Sequence, residues 1–245
     1  MKSIFLILCI SGFAVAGCDS KSDSSDSDYD KQIQHQMVAV EEEPVYHPDT
    51  LTADGYRAVK IGQQIWMVDN LNTAVFRNGD TIADAGILDN FPDEWVTLND
   101  AKQPAWCYRP RNEKFAKLYN WFAVSDPRGL APNGWHIPSA DEWSVLIQRL
   151  DGRDHAAKAL KSTSEWAVYD DGTNSSGFNA FPNGHCAYSG QARSFGEDGK
   201  SACFWTRTDD GGDYAKSVDL IWQYAPVGIG ESDKRNGLSV RCVKD

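Results

Sequence analysis

The stretch APNGWHIPSADEW contains the histidine whose surroundings most resemble a chemical site. His136 is one of only five histidines in the 245-residue chain. Pro138 keeps the residues before it out of helical geometry, so Trp135 and His136 are predicted to form a short extended segment. Ser139 and Glu142 have the spacing of a capping box, which predicts that a helix begins here. We therefore expect the imidazole to orient a structural corner. Catalysis is the alternative, but no nucleophile lies nearby in the sequence to support it.

Cysteines are the second group that could do chemistry. Cys9 and Cys18 lie in the first eighteen residues, and four cysteines remain in the rest of the chain: Cys107, Cys186, Cys203 and Cys242. An even number in an exported chain favours two disulfides, and four cysteines allow three connectivities. The sequence has no Cys-x-x-Cys pair, so a zinc site is not expected.

Carboxylates could hold calcium in the stretch TDDGGDY. Asp209, Asp210 and Asp213 supply hard oxygens in a predicted loop, and such oxygens are the ligands that Ca²⁺ takes. Their spacing is not that of an EF-hand. A plain turn is therefore predicted, with no metal and no other cofactor.

Aromatic side chains are plentiful, with nine tryptophans and nine tyrosines. Some must form the core, and the periodicity assigns this role to Trp66, Trp121 and Trp143. Four others lie in polar, loop-like stretches and are the predicted ligand contacts: Trp222, Tyr224, Tyr188 and Trp95.

The first residues read as an export signal. A basic start, an apolar run too short to span a bilayer and the sequence Val15-Ala16-Gly17-Cys18 resemble a bacterial lipoprotein signal peptide. We predict that residues 1–17 are removed and that Cys18 carries the lipid anchor. The expected location is the Gram-negative cell envelope, with the outer membrane as the predicted membrane.

An acidic stretch follows the anchor. Residues 19–43 contain eight acidic residues and two lysines, which is roughly half of the net charge of −11. Such a composition buries little apolar surface, so residues 18–44 are predicted to be a disordered tether. The acidic balance argues against a nucleic-acid partner.

The rest of the chain, residues 45–245, is predicted to be a single α+β domain. YRAVKIGQQIWMVDNL predicts a hairpin with a type II′ turn at Gly62. Residues 77–103 show no sustained period and are interpreted as a long ordered loop. Apolar spacing predicts one helix over residues 113–124 and a second from Ser139 to about Asp151, and the stretches beyond Leu160 read as short strands.

Several blocks together resemble the Fibrobacter succinogenes major paralogous domain family. The matching blocks, in order, are VKIGQQIWMVDNL, FRNGD, WCYRPRNEKFAKLYNW, PNGWHIPSADEW, ALKSTSEW, GFNAFPNG and NGLSVRCVKD. The resemblance implies a C-type lectin-like fold, shared with formylglycine-generating enzymes, in which two helices flank a small antiparallel sheet. It also implies a nested disulfide pattern that would join Cys186 to Cys203 and Cys107 to Cys242. The family's usual cysteine before the PxGWH motif is Ala131 here, so its own pairing does not transfer.

Together these features predict a lipid-anchored envelope protein that displays a binding or adhesion domain and is not an enzyme. Its partner would be a glycan or an envelope protein. Two alternatives remain: an oxidase of the formylglycine-generating kind, which would use paired cysteines, and a calcium-dependent lectin. Fold alone does not choose among them.

Overall fold

The first elements of the domain form the predicted hairpin. In the computed structural model, β1 (Ala58–Ile61) pairs antiparallel with β2 (Gln64–Met67), and Ile61 lies opposite Gln64. Gly62 has a φ of 64°, in the region that glycine adopts without strain. Gln63, the second turn residue, has no positive φ, and this is the pattern of a type II′ turn.

The structure describes residues 51–52, 54–87, 93–108, 116–167, 172–188, 194–195, 199–223 and 226–245. These residues contain four helices: α1 (Asp93–Asp100), α2 (Trp121–Val124), α3 (Ala140–Arg149) and α4 (Arg153–Leu160). Besides the hairpin they contain ten strands: β3 (Ala83–Ile87), β4 (Ala105–Tyr108), β5 (Leu118–Tyr119), β6 (Trp135–His136), β7 (Cys186–Ala187), β8 (Ser194–Phe195), β9 (Ser201–Asp209), β10 (Tyr214–Ile221), β11 (Gly228–Asp233) and β12 (Val243–Lys244).

The strands form four small sheets. Their orders are β1-β2-β12-β6, β11-β10-β9, β3-β4-β5 and β7-β8. All pairs are antiparallel except β3–β4, which is parallel. Few helices and mostly antiparallel sheets confirm the predicted α+β class.

Helix α3 begins where the sequence predicted. The Ser139 side chain accepts from the backbone N–H of Glu142, and the Glu142 carboxylate accepts from the backbone N–H of Ser139. Trp143, Leu146 and Ile147 form its buried face. The helix ends at Arg149, two residues before the predicted end at about Asp151.

The helix predicted over residues 113–124 is present only at its end, and the prediction is wrong for residues 116–120. Ala116 has a φ of 81°, Leu118–Tyr119 is strand β5, and only Trp121–Val124 is helical, with Asn120 as its N-cap. Leu118 pairs with Cys107 on β4, so sheet pairing overrides the helical spacing. The interpretation of residues 77–103 as one loop is also wrong, because β3 and α1 lie there.

The core is aromatic and confirms the three tryptophans predicted to be buried. Trp66 and Trp143 have ring centroids 4.8 Å apart, and Trp143 lies 5.4 Å from Phe204. Trp121 is also buried. Residues 237–243, which include the SVRCV stretch, are buried without interruption and lie against β2 and β5.

All of the described residues belong to one compact unit, residues 45–245. The predicted signal peptide, Cys18 and the predicted tether lie outside the described residues. Within the described part of the chain, none of the helices has the length and apolar character needed to cross a membrane.

Candidate functional site: a braced cleft beside the first hairpin

A cleft opens where the chain leaves β2. It has a volume of about 530 Å³, which is within the usual range for a small-molecule site. Its walls include Tyr56 and residues 69–73, the sequence Asp-Asn-Leu-Asn-Thr, which we call the cleft strip. The strip follows a buried strand, so its polar side chains are delivered to the surface by a rigid element.

Arg241 holds the strip from below. This arginine is fully buried, and its Nη1 donates to the carbonyls of Met67 (3.0 Å) and Phe178 (2.6 Å). Its Nε and Nη2 both donate to Oδ1 of Asn70, at 3.0 and 2.6 Å. The guanidinium also lies over the Phe178 ring, 4.4 Å from its centroid. Burial lowers the pKa of Arg241 to about 9, so the side chain remains a cation at neutral pH.

Asn72 is held by a second buried cation. Lys117 Nζ donates to Asn72 Oδ1 (3.1 Å) and to the Tyr108 hydroxyl (2.7 Å), and it lies 4.3 Å from the Trp106 ring centroid. A lysine ammonium can only donate, so this contact fixes which end of the amide is the oxygen. The Asn72 NH₂ group then has no acceptor among the described residues, and the residue is exposed.

Thr73 is clamped through its backbone. The buried hydroxyl of Tyr119 accepts from the Thr73 N–H at 2.8 Å and donates to the Thr73 carbonyl at 2.7 Å. Burial raises the pKa of Tyr119 well above its ordinary value, so the hydroxyl keeps its proton. The Leu71 N–H donates to the Val240 carbonyl at 2.8 Å. The strip is therefore fixed at four successive residues before any ligand arrives.

The outer wall of the cleft is aromatic and electrically balanced. Tyr56 is half-buried and packs edge-on against Trp135, with centroids 5.9 Å apart. Arg57 makes a bidentate ion pair with Asp69 at the rim. This wall offers a ring and a neutralised pair of charges, a setting suited to an uncharged polar ligand.

Among the described residues, none of the aromatic side chains predicted to contact a ligand lines this cleft. Trp95 lies on α1 and is only 2% exposed, so its prediction as a loop aromatic is wrong. Tyr188 is half-buried and donates to Asp100 at 2.7 Å, with Arg235 over its ring. Trp222 is half-buried in a bend, with Lys200 Nζ 4.9 Å from its ring centroid. Tyr224 lies outside the described residues.

The histidine corner has the extended backbone that the sequence predicted. His136 lies on β6 opposite Val243, and Trp135 Nε1 donates to Asp54. The His136 ring nitrogens contact Glu142 Oε1 (2.6 Å) and Asp245 Oδ1 (2.8 Å). Burial raises the pKa of Glu142, but hydrogen bonds from Ser139 and His136 outweigh it and the net shift is downward. Both ring nitrogens are thus occupied by the protein's own carboxylates.

The predicted disulfide pairings are wrong. All four cysteines are buried free thiols. Cys107 makes a hydrogen bond with Cys186, whereas Cys203 and Cys242 belong to a different core cluster. Each predicted partner therefore lies in another part of the core.

Cys203 has its own polar neighbours. It lies opposite Asp219 in the β9–β10 register, and its sulfur is 3.6 Å from His185 Nδ1. Burial raises the pKa of Asp219, and a hydrogen bond with Cys203 offsets part of that shift. These contacts explain why the thiol is held in place without a bridge.

Two of the three carboxylates of the acidic loop pair with lysines. Asp209 pairs with Lys234 (2.7 Å), and Asp210 pairs with Lys216 (3.0 Å). The hydrogen bond from Lys234 lowers the pKa of Asp209. Among the described residues no group of three or more His, Cys, Asp or Glu side chains is arranged to hold a metal ion.

Sequence reasoning missed the cleft. The signals that could have found it were a run of polar residues directly after a buried strand and an arginine inside the apolar stretch SVRCV. A charged residue between buried neighbours must find several acceptors, and Arg241 finds one of them on the strip.

The fold and the cleft define an α+β domain with a braced, largely uncharged cleft at the end of its first hairpin. Residues 59–244 match the family model described as the Fibrobacter succinogenes major domain, and the chain belongs to that family. Comparisons with curated proteins and with solved structures give no match.

Proposed function

We propose that this protein is a lipid-anchored component of the cell envelope and that its domain binds an uncharged glycan in the cleft. Cys18 carries the anchor, and the acidic stretch separates the domain from the membrane. The domain serves recognition or adhesion, on a fold of the C-type lectin-like kind. The observation that carries the proposal is the exposed side chain of Asn72: Lys117 holds its oxygen, its NH₂ group has no acceptor among the described residues, and the half-buried Tyr56 lines the same cleft.

These features suit a sugar for physical reasons. Glycan hydroxyls accept hydrogen bonds from a side-chain amide, and the C–H faces of a pyranose pack on an aromatic ring. Because the strip is already ordered, binding does not have to fix its backbone. The Arg57–Asp69 pair leaves little net charge to attract an ionic ligand.

The test is a glycan array probed with the polypeptide from Asp19 onward, with and without calcium. The decisive variant is Asn72→Asp, which keeps an oxygen for Lys117 and replaces the NH₂ donors by an acceptor. We expect it to lower binding at least about fivefold, the value of one hydrogen bond. Asn78→Asp, on an exposed turn, is the matched control and should leave binding unchanged.

A second variant and its control test the aromatic wall. Tyr56→Ala should also weaken binding, whereas Tyr214→Ala, which removes a 51% exposed tyrosine far along the chain, should not. Full binding by both Asn72→Asp and Tyr56→Ala would place the ligand elsewhere. A calcium requirement would favour the lectin mechanism that uses a metal.

The anchor has a separate test. Metabolic labelling with an alkyne fatty acid should mark the full chain in cells, and the label should vanish in Cys18→Ser. Labelling that survives this substitution would contradict lipidation at Cys18.

A further inference from the structure

Two of the four buried thiols are in contact with each other. Cys107 lies on β4 and Cys186 lies on β7, and a hydrogen bond joins their side chains. The exposed fraction is 0% for Cys107 and 1% for Cys186. Because 79 residues separate them in the chain, only the folded topology brings the two sulfur atoms together.

Strand pairing fixes the backbone on both sides of this pair. Cys107 lies opposite Leu118 in the β4–β5 register. Cys186 exchanges two backbone hydrogen bonds with Gly237, at 2.9 and 2.8 Å. A Cβ atom on Gly237 would lie 3.3 Å from the Cβ atoms of Cys186 and Leu118, so the glycine leaves room for these side chains. The two cysteines are therefore held next to each other by the main chain.

The other two cysteines have different surroundings. Cys203 and Cys242 belong to another core cluster, and Cys203 is hydrogen-bonded to Asp219 and contacts His185. A buried cysteine can serve simply as a small apolar side chain. Thiols that touch each other have a further possibility, because a disulfide needs two cysteines whose backbones are already close.

We propose that Cys107 and Cys186 form a disulfide when the chain folds in an oxidising compartment, and that Cys203 and Cys242 remain thiols. This pairing is neither of the two that the family resemblance implied. The oxidant is a disulfide, carried by a protein or a small molecule.

The reaction is a thiol–disulfide exchange in two steps. The thiolate of one cysteine attacks the oxidant, forms a mixed disulfide and releases one sulfur of the oxidant as a thiol. The thiolate of the other cysteine then attacks the mixed disulfide, closes the Cys107–Cys186 bond and releases the second sulfur. The two cysteines lose two protons and two electrons, and the oxidant takes them up as two thiols.

The bond forms before the surrounding cluster closes. In the folded chain, burial raises the pKa of the Cys107 thiol well above its ordinary value, and an oxidant cannot reach the sulfur. The reactive thiolate is therefore available only while the chain folds. Once closed, the bond ties β4 to β7 across a long loop, which restricts the unfolded chain.

The experiment is refolding of the polypeptide from Asp19 onward from urea, in mixed reduced and oxidised glutathione or in reduced glutathione alone. Produced without the export signal, this polypeptide starts with four thiols. After refolding in the mixture, alkylation of the denatured protein should label only Cys203 and Cys242, and an unreduced digest should contain a peptide pair that joins Cys107 to Cys186. The melting temperature should be about 10 °C higher than in reduced glutathione alone.

Two variants are compared between the same two buffers, which cancels the cost of the lost side chain. Cys107→Ala should show three labelled cysteines in both buffers and no gain in melting temperature. Cys203→Ala is the matched control, because it removes a buried thiol outside the pair, and it should keep the gain of about 10 °C. The peptide map of the parent decides the pairing even if a variant fails to fold.

Four labelled cysteines in the parent after refolding in the mixture, or a bond between any other two cysteines, would overturn the proposal. None of these measurements involves a glycan, so the result does not depend on the proposed function.

Discussion

Replacing Arg241 by methionine tests whether one buried cation holds the cleft strip in place. The substitution keeps much of the side-chain volume and removes donors from three acceptor atoms: Asn70 Oδ1, the Met67 carbonyl and the Phe178 carbonyl. Hydrogen bonds to a charged group contribute about 1.5–3 kcal/mol each, which sums to about 4.5–9 kcal/mol. Because methionine carries no charge, the variant also avoids the several kcal/mol that it costs to remove a cation from water. We expect a net loss of about 3 kcal/mol in the free energy of unfolding.

The assay is urea unfolding followed by tryptophan fluorescence. Arg57→Met is the matched control, because Arg57 makes an exposed ion pair and its loss should cost at most about 1 kcal/mol. A double-mutant cycle with Asn70→Ala should show a coupling of about 1.5–3 kcal/mol between the two side chains. An Arg241→Met protein within about 0.5 kcal/mol of the parent, with no such coupling, would refute the reasoning.

Three further predictions concern the rest of the domain. Ser139→Ala removes the capping box and should cost about 1 kcal/mol in urea unfolding, whereas Ser144→Ala on the same helix should cost less than about 0.5 kcal/mol; equal losses would contradict the role of the cap. Burial raises the pKa of Asp219 above its ordinary value of 3.8, so the folded state favours the protonated carboxyl. The resulting contribution to the free energy of unfolding is fully present below pH 3.8 and is lost as pH rises through the raised pKa. Asp219→Asn should therefore be more stable than the parent at pH 7, with an advantage that shrinks towards pH 4, and a pH-independent difference would contradict this. In the polypeptide from Asp19 onward, a thiol reagent should find four reactive cysteines after denaturation without reductant and almost none in the native state; only two after denaturation would reveal a disulfide.

The features set by local sequence were predictable. Gly62 fixes the hairpin turn, and the Ser139–Glu142 spacing fixes the start of α3, because each depends on residues within one turn. The burial of Trp66 and Trp143 followed from periodicity for the same reason. Local chemistry of this kind can be read without knowing which elements meet.

The features that depend on distant pairing were not predictable. Leu118 has helical spacing to Phe115 and Phe122, but Leu118 and Tyr119 form a strand because β4 and residue 238 lie on either side. Trp95 stands in a polar stretch, and only the packing of α1 against β3 and β4 buries it. The number of cysteines limits how many disulfides can form, but it does not show which cysteines lie close together. That depends on which strands become neighbours.

The cleft was missed for a related reason. Asn70 and Arg241 are 171 residues apart in the chain, so their contact has no local signal. Trp95, Tyr188 and Trp222 do not line the cleft, and the binding surface that we propose there includes Asn72 and Tyr56. Composition counts aromatic rings but does not show where they meet polar groups.

The most direct test of the central claim is a backbone NMR titration of the polypeptide from Asp19 onward with the glycan that it binds most tightly on the array. The account predicts that the largest amide shifts fall in residues 69–73, with little change near Tyr188 and Trp222. Shifts centred on those two aromatic residues, with residues 69–73 unchanged, would contradict it.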